Sequence, residues 1–170
     1  WSAGGSCGPA ARSRAAGDSS RPVRLAWHLI DVFTERPFGG NPLAAFPDAG
    51  DLDPAWMPRI AAELNLSETA FVLPPADPRH HRRLRIFTPR MELPFAGHPT
   101  IGTAILLAEL EGRAGESEMV LEETAGPVPV RVRRGGGRPP FARLELAGPF
   151  EIRPAAPGAA LARVVGLALD

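Results

Sequence analysis

The chain has 170 residues, 44% hydrophobic and 22% charged, which is enough to bury one core and to form one ordinary domain or slightly more. Its 19 basic and 19 acidic side chains balance, so no global field draws it to nucleic acid or an anionic membrane, and no metal, nucleic-acid or membrane partner is expected. Every basic residue is Arg, which excludes lysine Schiff-base and Walker-lysine chemistry, and the single cysteine, Cys7, excludes an intrachain disulfide and a cysteine-cluster zinc site.

Residues 1 to 22, WSAGGSCGPAARSRAAGDSSRP, carry three Arg and lack an apolar core of the kind a secretory signal needs. They are predicted to be a disordered tail. No run in the chain reaches the roughly 18 apolar residues of a membrane span, and with one cysteine a reducing, cytoplasmic setting is expected. Order is predicted to begin with a strand over 23–33, VRLAWHLIDVF, rich in β-branched and aromatic residues. Pro37, Gly39-Gly40 and Asn41-Pro42 then supply turn chemistry before a short strand, LAAF, at 43–46.

A helix follows in DLDPAWMPRIAAEL, with Asp53 as its N-cap and Pro54 at the first helical position. Pro58 opposes the carbonyl four residues back, so this helix should start late or bend. Asn65 suits a left-handed C-terminal cap, and TAFVL, 69–73, reads as a strand that Pro74-Pro75 ends. Glu68 therefore falls at a helix-to-strand junction, where a rigid scaffold can present a side chain to a cleft; Ser67 and Glu68 could equally cap and solvate a turn.

RRLRIFT, 82–88, reads as a strand and PRMELPFAGHP, 89–99, as a loop. TIGTAILLAEL is apolar around nearly its whole circumference, the mark of a buried helix. With Pro99 at its first position, His98, Thr100 and Ile101 would stand at the end whose free N–H groups attract anions; His98 is also readable as a buried histidine bonded to the backbone. MVLEET, VPVRVRR and FARLELAG read as further strands, the last two joined across GGGRPP, with Arg131, Arg133 and Arg143 sharing a solvent face. RHHRR, 79–83, lacks interleaved aromatics and is expected to be a solvated loop rather than a nucleic-acid or metal site.

Three ordered blocks, IDVFTERPFGGNPLAAF, RIAAELNLSETAFVLPP and RIFTPRMELPFAGHPTIGTA, together resemble the N-terminal half of the phenazine biosynthesis PhzF family of isomerases. The resemblance implies an α+β class and a diaminopimelate-epimerase-like fold, in which each of two similar domains curls a mixed β-sheet around a central buried helix. It also implies a cofactor-independent isomerase that moves a proton on a small carboxylate substrate resembling dihydro-hydroxyanthranilate. Carried over residue by residue, Glu68 of the NLSE block would be the catalytic acid/base. Ser67, Gly97 and His98 would contact substrate. The missing matching cysteine separates the chain from the two-cysteine racemases that share the fold.

On this resemblance residues 23–150 would be the N-terminal domain and 151–170 a linker leading into a second domain that the 170 residues do not include. The chain then reads as a fragment of the enzyme, and the resemblance is compatible with a homodimer. The other reading is a noncatalytic PhzF-like binding or interaction module.

Overall fold

A computed structural model of the protein describes residues 24–146, with Ala162 and Val164. The expected disordered tail, Cys7 and the expected linker at 151–170, those two residues apart, lie outside the described residues. Chain order is β1 (His28–Val32), β2 (Asn41–Phe46), a 3-10 turn (Pro54–Trp56) running into α1 (Met57–Leu64), β3 (Glu68–Leu73), β4 (Arg82–Phe87) and β5 (Glu92–Leu93). Then come α2 (Gly97–Leu110), β6 (Gly115–Glu123), β7 (Gly126–Gly135) and β8 (Arg138–Leu144).

The strands form one mixed sheet in the order β1-β2-β3-β4-β6-β7-β8, with β5 paired to β4. β2 lies parallel to β3, and β4 parallel to β6, while the other neighbours are antiparallel. Each parallel pair needs a crossover. α1 makes the first, and β5 with α2 makes the second.

Local chemistry accounts for the element ends. Asp53 accepts a hydrogen bond from the Ala55 N–H at 3.0 Å, so it caps the 3-10 turn, and α-helical geometry begins only at Met57 with Pro58 second. That is the late start expected from Pro58, because a missing N–H is harmless in a first turn. Asn65 ends α1 at φ 51°, its N–H bonded to the Ala61 carbonyl. At the β7–β8 hairpin Gly136 and Gly137 both have φ 69°, the pair of positive angles that a tight two-residue turn matched to strand twist demands.

Several boundaries differ from expectation. β1 starts at His28 rather than 23, and Phe33 already lies at φ 64° outside it. The 89–99 loop contains β5, whose two residues bond to Ile86 and Phe87. α2 begins at Gly97, two residues before the expected start, which puts Pro99 third; its missing donor still costs nothing because first-turn N–H groups have no helical acceptor. In RHHRR Arg79 and Arg83 are exposed as expected of a solvated segment, but the three residues between them are paired. His80 Nδ1 lies 2.7 Å from Glu122, and His81 and Arg82 each lie 2.9 Å from Glu111. Among the described residues no group of three or more His, Cys, Asp or Glu is placed to hold a metal ion, and no helix is long and apolar enough to cross a membrane.

Alternation along β2 and β3 divides the core in two. Leu43, Ala45, Ala70 and Val72 face α2, while Ala44, Phe46 and Phe71 face α1 together with Met57, Ala61 and Phe87. Both sheet faces are covered here, as a parallel pair requires. α2 buries His98 to Thr100, Gly102 to Ala104 and Leu106 to Ala108, and packs against β1, β2, β3, β6, β7 and β8. Each large apolar side chain so buried is worth about 1.5–3 kcal/mol. The sheet stays open between its edge strands: Ile101 and Ile105 line a groove of about 770 Å³ together with Ile30, Val32, Phe141 and Ala142. The architecture is thus a curled, open mixed sheet against one helix, with α1 on its other face.

Candidate functional site

Because β2 and β3 run parallel with Leu43 opposite Glu68, their first residues emerge at the same end of the sheet. Glu68 lies in phase with Ala70 and Val72, so its side chain falls on the α2 face, where the helix begins. His98 occupies the second position of α2 and is 9% exposed. Its Nε2 stands 3.3 Å from Glu68 Oε2, whose side chain is 19% exposed. Both atoms are buried, and neither makes a hydrogen bond.

A polar chain supports this pair from behind. Ser67 Oγ donates to Asn41 Oδ1 at 3.0 Å, which leaves the Asn41 amide nitrogen 3.2 Å from His98 Nδ1. An NH2 group can only donate, so Nδ1 accepts and a neutral ring carries its hydrogen on Nε2, the side facing Glu68. Burial holds the imidazole below its ordinary titration range, against the opposing effects of Glu68 and the Pro42 carbonyl. A neutral imidazole beside a partly desolvated carboxyl group is a pair between which one proton can be held or moved.

The helix start adds donors. Ala96, the N-cap, offers no side-chain cap, and Pro99 has no N–H, so the N–H groups of Gly97 and His98 stand free at the positive end of the helix dipole. A Cβ built at Gly97 meets nothing within 4 Å. Space, rather than close packing, therefore lies in front of that residue, and a ligand oxygen can approach the backbone there.

The structure thus brings together all four residues singled out in the sequence, Ser67, Glu68, Gly97 and His98, at one end of the sheet. One member escaped the sequence reading. Asn41, read there as turn chemistry, is the first residue of β2 and links Ser67 to His98. A polar residue closing the GGNP block just ahead of an apolar strand was the available signal, yet pairing it with positions 67 and 98 required the sheet.

Comparison with known proteins points the same way. The profile of the phenazine biosynthesis-like protein family, PhzC-PhzF, matches residues 30–162. An uncharacterized isomerase of Mesorhizobium japonicum is 53% identical over 138 residues, which cover 78% of this chain and 45% of the relative. A trans-2,3-dihydro-3-hydroxyanthranilate isomerase of Pseudomonas fluorescens is 47% identical over 109 residues, covering 64% and 38%. Among solved structures, a predicted epimerase of Pseudomonas aeruginosa superposes with TM-score 0.65 at 43% identity, covering 71% of this chain and 42% of the other. A PhzF-family protein of Bacillus anthracis gives TM-score 0.63 at 31% identity, covering 71% and 40%. The chain spans less than half the length of these curated relatives. With the ordered blocks, the curled mixed sheet and a profile match over most of its length in agreement, this chain belongs to the phenazine biosynthesis-like PhzC-PhzF family.

Proposed function

We propose that the chain carries the acid/base part of a PhzF-type isomerase acting on a small carboxylate substrate of the dihydro-hydroxyanthranilate kind, without a cofactor. The observation that carries the reading is the buried pair of Glu68 Oε2 and His98 Nε2, 3.3 Å apart and neither with a hydrogen-bond partner, at the open start of α2. The name of the Pseudomonas fluorescens relative supports the substrate class.

The Glu68 carboxylate takes a proton from a ring carbon, and the electron pair left behind moves into the adjoining double bond, which shifts along the ring. Neutral Glu68 then returns the proton to the distal carbon, so no atom is gained or lost. The N–H groups of Gly97 and His98 hold a substrate oxygen and the charge that gathers on it. Ser67 and Asn41 keep the imidazole in the tautomer that faces Glu68. Residues 23–150 would form the N-terminal domain, its sheet curled about α2, and a second domain following 151–170 would close the cleft and orient the substrate.

Deuterium exchange tests this reading. A protein completed with a family-type second half should incorporate solvent deuterium into substrate, and Glu68→Gln should lower that rate by about two to four orders of magnitude, the usual worth of a general acid/base. Full exchange by the Gln form would remove Glu68 from the mechanism. Ligand binding without exchange in the unmutated protein would favour a noncatalytic binding module instead.

A further inference from the structure

Glu123, the last residue of β6, is 8% exposed and takes no part in the site described above. Its Oε1 lies 2.5 Å from Thr100 Oγ1, and the same hydroxyl oxygen lies 2.7 Å from the carbonyl oxygen of Ala96, the N-cap of α2. Both separations need a hydrogen between the oxygens, since bare lone pairs repel at such distances. Thr100 has one hydroxyl hydrogen and a carbonyl has none. Thr100 stands as donor toward both oxygens, yet its single hydrogen serves one at a time; a hydrogen on Glu123, donated to Thr100 while Thr100 donates to Ala96, satisfies both separations. Glu123 Oε2 points the same way: it is buried and makes no hydrogen bond of good geometry, the Ala96 backbone pulling only weakly against burial, a situation that a neutral carboxyl group tolerates far better than an anion.

We infer that Glu123 is a protonated positioning residue, whose hydrogen-bond relay through Thr100 to the Ala96 carbonyl holds the first turn of α2 and with it the Gly97 and His98 groups that would meet the substrate. The inference deepens the proposed function and rests on it for the meaning of Gly97 and His98. Loss of the Glu123 proton would leave Thr100 one hydrogen for two acceptors and would put an anion beneath the turn meant to receive an anionic group.

The surroundings favour the neutral form of the carboxyl group. Burial pushes Glu123 up to about 7, against the opposing effects of the Thr100 hydroxyl and the Ala96 backbone. Arg83 on the neighbouring strand β4 stands in register with Glu122, and other charged groups on the packed elements are engaged elsewhere. On α2 His98 faces Glu68 and Glu109 approaches Arg134, and on β5 Glu92 binds Arg85. On β7 Arg131 binds Glu118, Arg133 lies over Phe141, and Arg134 donates to backbone carbonyls. Glu122, the neighbour on β6, binds His80 and the Ala76 and Asp77 amides.

The test is an NMR pH titration of the 170-residue chain with labelled glutamate carboxyl groups and backbone amides. Glu123 should ionise near pH 7, and the Gly97 and His98 amide signals should move with that same midpoint. His98's own protonation gives a separate step at lower pH. Glu123→Gln, which keeps a donor toward Thr100, should remove only the step near 7 and leave the amides at their low-pH positions. Thr100→Val, which breaks the relay without touching the carboxyl group, should uncouple the amides from Glu123. Ionisation of Glu123 in the ordinary carboxylate range overturns the inference, and so do amides at 97 and 98 that ignore its titration. No substrate enters this readout, so it fails or stands separately from the deuterium-exchange experiment.

Discussion

The two ends of α2 are built on opposite terms. At its C-terminal end the carbonyls are spoken for: Leu107 accepts from the Glu111 N–H, Ala108 from the Arg113 N–H and Glu109 from the Gly112 N–H. Arg134 also donates to the Ala108 and Arg113 carbonyls at 2.9 Å each, while Glu111 binds His81, Arg82 and Arg113. At the N-terminal end Ala96 provides no side-chain cap, Pro99 provides no donor, and Gly97 and His98 keep free N–H groups. Helix ends buried for stability satisfy their polar groups. An end that leaves donors unused beside an imidazole and a carboxyl group gives up that stability, and such departures mark functional sites.

The largest expected effect lies at the open end. Glu68→Gln in a completed protein should slow substrate deuteration by about 10²–10⁴-fold while the fold persists, because Gln keeps the side-chain shape. Unchanged melting with unchanged exchange would erase the contrast between the two ends.

Next comes the contact that seats the helix. A Cβ at Gly102 would stand 2.7 Å from Val32 Cγ2 and 2.9 Å from Leu43 Cδ2, both packed in the core. Gly102→Val should therefore destabilise by about 1–3 kcal/mol or more, as overpacking does, in urea melts of the chain. An unchanged midpoint would mean that β1 and β2 can yield freely.

At the closed end Arg134→Met keeps the apolar stem and removes the donors to Ala108 and Arg113, so a loss of about 1–3 kcal/mol is expected from the same melts. Activity of a completed protein should fall less than stability does. A selective loss of activity would show that both ends serve the site.

Acid sensitivity sharpens the comparison further. Glu111 is held below its usual range by Arg113 and His81, which outweigh the opposing effect of burial, and Glu122 by the Ala76 and Asp77 amides and His80. A lowered carboxyl group stabilises the fold above its unfolded value of 4.5, and that contribution is lost as pH falls through the lower folded value. Glu111→Gln should flatten the decline of the melting temperature below pH 4.5. Glu123 has the reverse sign: its raised value means stability present below 4.5 and lost as pH rises toward 7. Glu123→Gln should accordingly hold its stability across that interval.

The smallest effect belongs to the outer sheet face. Arg131 and Glu118 are 57% and 73% exposed, so Arg131→Ala should change stability by less than about 1 kcal/mol.

Much of the fold was legible where local chemistry decides it. Asp53-Pro54 with Pro58 foretold a late-starting helix, Asn65 its left-handed end and the glycine run a tight hairpin, because each depends only on the φ and hydrogen-bonding limits of the residues concerned. Glu68, Ser67, Gly97 and His98 were legible through their blocks. The pairing of His80 and His81 with Glu122 and Glu111 was not, since those partners lie 30 or more positions away, and only the fold brings the β3–β4 connection against β6 and the C-terminal end of α2.

Sequence by itself determined most of the elements, the all-round apolar character that buries α2 and the family to which the chain belongs. Tertiary structure decided which polar groups meet. The parallel register of β2 and β3 sets Asn41 beside Ser67, the start of α2 at Gly97 sets His98 against Glu68, and the end of β6 carries Glu123 under Thr100. Those contacts join residues 23 to 30 positions apart. Local preferences act over a few residues, whereas such meetings follow from strand order and burial, which the whole core must settle at once.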